Sequence, residues 1–219
     1  MAMMALGVLV SGGGSNLQAI LDAIAAKRLD ARVAVVLSNV PGVAALERAR
    51  RAGVDAVALD HKAFADRKAF DAAVVDVLRA HEVELVVLAG FMRLVTDVLL
   101  GAFPMRVVNV HPALLPAFPG VNAQRQALAY GARVTGCTVH FVDGGTDTGP
   151  VIAQAAVPVK DGDDEDTLSH RILAREHQLL PQVLQWFAEG RVSVEPAPGG
   201  TGRPTVRVRG ATTALNVRE

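Results

Sequence analysis

The chain has 219 residues, of which 51% are hydrophobic and only 4% aromatic, and its 22 basic side chains are balanced by 22 acidic ones. That length suits one large domain, and a core of Val, Ala and Leu suits a buried parallel sheet. Zero net charge removes the electrostatic footprint of nucleic-acid and anionic-membrane binders, and the apolar runs are shorter than a membrane span. No basic leader with a cleavage site precedes the first apolar run, so a cytoplasmic location is expected, and the single cysteine, Cys137, excludes internal disulfides and cysteine metal clusters.

From Ala5 onward, apolar runs of strand length alternate with helical patterns. Strands are expected at 5–10, 32–38, 54–58, 84–89 and 106–110. Between them, Leu17, Ile20, Leu21 and Ile24 recur three and four apart on one helix face, and helices follow at 43–52 and 66–81. This rhythm means repeated βαβ units, hence an α/β fold with a mostly parallel twisted sheet and helices on both faces. Beyond 110 the pattern is more mixed: a proline-rich loop at 112–120, a helix at 122–130 and strands at 134–142 and 150–158. A long amphipathic helix is expected from Asp164 to Phe187, kinked or interrupted at Pro181, which lacks a backbone donor. Residues 1–190 read as one catalytic domain. Residues 191–219 read as a tail in which Val192–Val194 and Val206–Val208 flank the run 197–204, as an edge hairpin or a frayed end.

Ser11-Gly12-Gly13-Gly14-Ser15-Asn16 ends the first strand and opens the first helix. Backbone N–H groups and the positive helix end then face one cleft, which suits an anion. The run lacks the Gly-Lys-Ser/Thr of a Walker loop, and Leu17 stands where the last glycine of a dinucleotide fingerprint belongs, so a phosphomonoester fits best. The plainer reading is a tight turn that binds nothing. Three glycines exceed what such a turn requires.

Further along, the strand Arg106–Val110 ends in Asn109-Val110-His111-Pro112. Residues two apart on a strand project from the same face, so an amide and an imidazole stand together where they can meet one developing negative charge. In an open α/β sheet, ligands bind outside the carboxyl ends of the strands. The glycine run and the Asn109–His111 pair both lie at such ends, so one shared cleft is expected.

Asp143-Gly144-Gly145-Thr146-Asp147-Thr148-Gly149-Pro150 forms a loop between two strands that turn chemistry alone explains. The functional alternative is a carboxylate facing His111 and favouring its charged form. Ala89-Gly90-Phe91-Met92-Arg93 could line a pocket for a flat ring. Arg67 and Arg93 read as surface charges, His140 as a buried support to the site, Cys137 as a small buried hydrophobe, and His61, His81, His170 and His177 as ordinary exposed positions without a metal-site pairing.

Together the segments Ser11–Gln18, Leu46–Arg50, Val86–Arg93, Asn109–Pro116 and Val139–Val142 resemble, in order and spacing, the glycinamide ribonucleotide transformylases, folate-dependent formyltransferases of purine biosynthesis. The likeness runs from about Ala5 to Gly190. It implies a Rossmann-like formyltransferase fold and transfer of a formyl group from 10-formyltetrahydrofolate, as co-substrate, to the amine of glycinamide ribonucleotide, with no metal. By position it implies a catalytic trio of Asn109, His111 and Asp147, the first two stabilising an oxyanion and Asp147 raising the His111 pKa and assisting proton transfer. It further implies a ribonucleotide site at Gly14, Ser15, Asn16, Leu173, Ala174, Arg175 and Glu176. The folate site implied comprises Arg67, Met92, Arg93, Leu94, Val95, Asn109, Asp143, Gly144, Gly145, Thr146 and Asp147. It also suggests a cis Leu115-Pro116 bond, small-molecule partners without nucleic acid or membrane, and a monomer or homodimer.

The chain departs from the family pattern after Pro116, where Ala117-Phe118-Pro119-Gly120-Val121-Asn122-Ala123-Gln124 replaces a basic, His-rich turn, and in the glycine-rich 143–147 loop, whose folate contacts would be mainly backbone. Two other readings compete. A formyltetrahydrofolate deformylase should carry a regulatory domain before the first strand, as a methionyl-tRNA formyltransferase should continue into an added C-terminal one, and this chain has room for neither. A non-catalytic nucleotide-binding module would survive loss of His111 without consequence.

Overall fold

In a computed structural model that describes residues 3–197, 202–211 and 214–215, the chain divides into two units, Met1–Asn109 and Val110–Glu219. The boundary falls within one strand. In the first unit the apolar runs form β1 (Met4–Val10), β2 (Ala31–Ser38), β3 (Asp55–Ala58), β4 (Leu85–Leu88) and the start of β5 (Val107–His111). They lie side by side as β3-β2-β1-β4-β5, every pair parallel. Six consecutive residues of β1 and all of β4 are buried, as strands covered on both faces must be.

The crossovers of this unit are helical. α1 (Ser15–Ala25) buries Leu17, Ile20 and Ala23, and α2 (Ala44–Arg51) buries Ala45, Leu46 and Ala49 while its last turn carries three arginines toward the negative helix end. α3 (Arg67–Ala80) starts where Asp66 accepts the Ala69 N–H at 2.8 Å. Gly7 in β1 lets this helix approach, since a Cβ there would lie 2.5 Å from Leu78 Cδ2. α4 (Asp97–Ala102) is capped by Thr96. At six residues it is too short to announce itself by periodicity.

In the second unit, the end of β5 is followed by α5 (Ala123–Tyr130), β6 (Val134–Phe141), β7 (Val151–Pro158) and α6 (Glu165–Ala188). Strand order here is β5-β6-β7-β10, with β6 and β7 antiparallel and β10 (Ala214–Leu215) parallel to β7. α6 opens on a capping box between Asp164 and Thr167. It runs through Pro181 without the interruption that the sequence allowed there. The helix forgoes the one bond that Pro181 cannot donate, because Leu179, Leu180, Val183, Leu184 and Phe187 are all buried around it.

β8 (Val192–Glu195) and β9 (Thr205–Val208) pair antiparallel as a separate two-stranded sheet. Residues 198–201 of the connection between them lie outside the described residues. Leu115-Pro116 is cis. Among the described residues, no helix is long and apolar enough to cross a membrane.

Candidate active site

The glycine run follows β1 directly. Ser11, Gly12, Gly13, Gly14, Ser15 and Asn16, with Ala89, Gly90 and Met92, line an open cavity of about 260 Å³. Gly14 occupies the N-cap of α1 in the left-handed region (φ 73°) and offers no side chain to cap the first helical N–H groups. A Cβ on Gly14 would stand 2.6 Å from that of Ala45, whereas one on Gly12 or Gly13 would meet nothing within 4 Å. Only the third glycine is therefore demanded by the fold. The first two leave open space along the cavity wall.

A hydroxyl ties this loop to the segment after β4. Ser11 Oγ donates to Asn39 Oδ1 at 2.6 Å and accepts the Met92 N–H at 2.8 Å, while the Ser11 N–H reaches the Gly90 carbonyl at 3.0 Å. Met92, which the resemblance gave to the folate site, thus borders the same cavity as Gly14, Ser15 and Asn16. Met92 and Leu94 are 73% and 54% exposed, and Val95 is half-buried. The Arg93 guanidinium lies 4.9 Å from the Phe70 ring centre, a cation–π contact, and Arg67 is exposed at the start of α3.

In the second unit, β5 ends in His111, whose side chain is only 5% exposed. Its Nδ1 stands 3.3 Å from Asp147 Oδ2, and its Nε2 stands 2.8 Å from the Phe118 carbonyl. Both ring nitrogens therefore face acceptor oxygens. Asp147 also accepts the Gly120 N–H at 2.7 Å and sits in the left-handed region at φ 53°. The loop reading of Asp147 gives way to a half-buried carboxylate beside a buried imidazole.

His140, on β6, flanks that carboxylate from the other side, with Nε2 3.7 Å from Asp147 Oδ1. Burial holds its imidazole below the usual range, outweighing the pull of the Phe141 carbonyl and of Asp147. Its Nδ1 lies 2.8 Å from the Phe141 carbonyl. A neutral ring that donates there turns the lone pair of Nε2 toward Asp147, which fits a separation too long for a hydrogen bond. Asp147 thus stands between two imidazoles, His111 and His140.

The rest of the 143–149 loop is held from within. Asp143 accepts from the Gly145 N–H at 3.1 Å and the Thr148 hydroxyl at 2.6 Å. Gly145 and Gly149 are required by close approach, their Cβ atoms falling 2.1 Å from Thr148 Oγ1 and 1.8 Å from the Phe141 carbonyl oxygen. Gly144 and Thr146 are exposed.

On α6, Glu176 is buried at 6% exposure rather than lying on an open helix face, Leu173 and Arg175 are half-buried, and Ala174 is exposed. Arg175 donates to Gln178 Oε1 at 3.2 Å. Burial, reinforced by the Glu176 charge, pushes the Cys137 thiol up to about 12, which leaves it inert as a nucleophile. No group of three or more His, Cys, Asp or Glu side chains among the described residues is placed to hold a metal ion.

The partners that residue reading missed are backbone groups, the Phe118 carbonyl and the Gly120 N–H. Pro119-Gly120 signals the turn that delivers them, but not its target.

The sequence model of the formyl transferase family matches residues 4–184. The chain is 43% identical over 187 residues to a phosphoribosylglycinamide formyltransferase of Escherichia coli (strain K12), covering 85% of this chain and 88% of that protein. It is 47% identical over 191 residues to the trifunctional purine biosynthetic protein adenosine-3 of Drosophila melanogaster, covering 86% of this chain but spanning only 14% of that longer protein. A crystal structure of glycinamide ribonucleotide transformylase 1 from Symbiobacterium toebii is similar with a TM-score of 0.90 at 55% identity, over 94% of each chain.

Proposed function

The chain belongs to the formyl transferase family and is a formyl-transferring enzyme, and from that premise we propose that it passes the formyl group of 10-formyltetrahydrofolate to the primary amine of glycinamide ribonucleotide in purine biosynthesis. The observation that carries this reading is the pairing of buried His111, at the end of β5, with Asp147, and Asn109 two residues earlier on the same strand. The folate supplies an activated formyl carbon and a nitrogen that leaves. Open space beside Gly12 and Gly13, and exposed apolar surface on Met92 and Leu94, suit a phosphorylated acceptor and a flat ring.

Asn109 and His111 project to one face of β5 and donate to the charge that develops on the formyl oxygen, His111 by turning over to it the Nε2–H that otherwise faces the Phe118 carbonyl, each such donor being worth about 3–4 kcal/mol. Asp147 keeps a carboxylate opposite His111 Nδ1, so that the protonated ring is paired, and orders a water that carries the proton lost by the attacking amine to the folate nitrogen as its bond to the formyl carbon breaks. Gly14, Ser15 and Asn16 hold the acceptor's phosphate with first-turn N–H groups and the positive end of α1. Leu173, Ala174, Arg175 and Glu176 contact the rest of that ribonucleotide. Arg67, Met92 to Val95, Asn109 and Asp143 to Asp147 receive the folate. Organic donors meet the charge, so the reaction needs no metal.

The test is the absorbance change as 10-formyl-5,8-dideazafolate loses its formyl group, with and without glycinamide ribonucleotide. Loss that requires the ribonucleotide is expected. Equal loss without it would indicate a hydrolase, and no loss in either case would indicate a binding module.

A further inference from the structure

We propose that Arg48, on α2, is a positioning residue that keeps the glycine loop selective for a phosphomonoester. This rests on the reading of Gly14, Ser15 and Asn16 as the phosphate site. A loop of consecutive glycines carries as many carbonyl oxygens as amides, and an anion entering it meets repulsion unless the oxygens are drawn elsewhere. Here three successive carbonyls are each accounted for. The Gly12 oxygen accepts the Ala45 N–H at 3.1 Å, the Gly13 oxygen accepts Arg48 Nε at 2.8 Å, and the Gly14 oxygen accepts the Gln18 N–H at 2.9 Å.

Two of these three donors belong to α2, and the middle one is a side chain. Arg48 is itself fixed by a second bond, from a terminal guanidinium nitrogen to Gln18 Oε1 at 3.1 Å, so it spans from the loop to α1. The same helix sets the turn, because Ala45 leaves room for nothing larger than Gly14. A planar fork can make both bonds at once, which a lysine ammonium on its flexible stem cannot do with the same geometry. The guanidinium also brings a fixed positive charge beside the loop. Arg48 thus orients the cradle and biases it toward an anion without entering the chemistry.

The experiment measures kcat and KM for glycinamide ribonucleotide and for its dephosphorylated nucleoside in the wild type, Arg48→Met and Arg48→Lys, with calorimetric binding of the ribonucleotide and a melting curve for each protein. For Arg48→Met, the KM and Kd for the ribonucleotide should rise about tenfold, as loss of one charge-assisted hydrogen bond implies. Turnover at saturation, the folate KM and the kinetics with the nucleoside should stay within about twofold. Arg48→Lys should recover part of the loss, since charge returns without the fork. Unchanged ribonucleotide affinity in a folded Arg48→Met protein, or an equal loss for the nucleoside, would overturn the proposal. A wild-type enzyme that uses both acceptors equally well would instead overturn the phosphate reading itself, which keeps the two failures apart.

Discussion

The loop after β1 and the loop after β6 meet their targets by opposite means. The first is local: six consecutive residues, Ser11 to Asn16, line one cavity, and the one conformational demand, φ 73° at Gly14, falls on a glycine. The second is assembled from afar. His111 and Asp147 lie 36 positions apart in the sequence, and the Phe118 carbonyl and Gly120 N–H close around them from a third segment. A turn built from consecutive residues tolerates changes of side chain that spare its glycines, whereas a pairing of distant side chains is lost with either partner.

That contrast is broken first at His111. His111→Ala should lower kcat by about 10³-fold, the upper scale of one lost oxyanion contact, with the fold intact by circular dichroism. Asp147→Asn should lower kcat by about 10²-fold, because the amide can still accept from Gly120 but no longer pairs a protonated His111. In the other loop, Gly14→Ala should act through stability, lowering the unfolding free energy in denaturant by about 1–3 kcal/mol, since its φ of 73° strains any L side chain and Ala45 stands in the way.

The smallest effect concerns neither loop. Arg171 bonds Asp163 with both terminal nitrogens and holds that carboxyl down to about 2 from 3.8. The pair's contribution to stability is full above about pH 3.8 and is lost as pH falls toward 2. Asp163→Asn should therefore flatten the acid limb of a melting-temperature profile taken between pH 5 and pH 2, and leave activity near neutrality unchanged.

Much of this architecture was legible in the sequence. The first unit's strands and longer helices follow period and punctuation, and the glycine run declares itself because all its parts are consecutive. α4 was not legible, since six residues do not make a period and its start is set by Thr96, whose side chain accepts the Val98 N–H and whose own N–H donates to Asp71 on α3. Pro181 misled, because burial of its neighbours on α6 overrides a missing donor. Spacing offered a carboxylate of the 143–150 loop facing His111 only as an alternative to turn chemistry, and the choice of Asp147 came with the family resemblance. Pairing of β6 with β7, and turns at Gly145 and Gly149 that admit no Cβ, hold the loop that carries it. Glu176 was illegible for the same reason, its burial depending on what α6 packs against.

The most direct measurement is calorimetric binding of glycinamide ribonucleotide to His111→Ala. If the backbone of the glycine loop anchors the acceptor while His111 serves the chemistry, affinity should match the wild type within about twofold although turnover is lost. A fall in affinity that parallels the fall in turnover would contradict that division of labour.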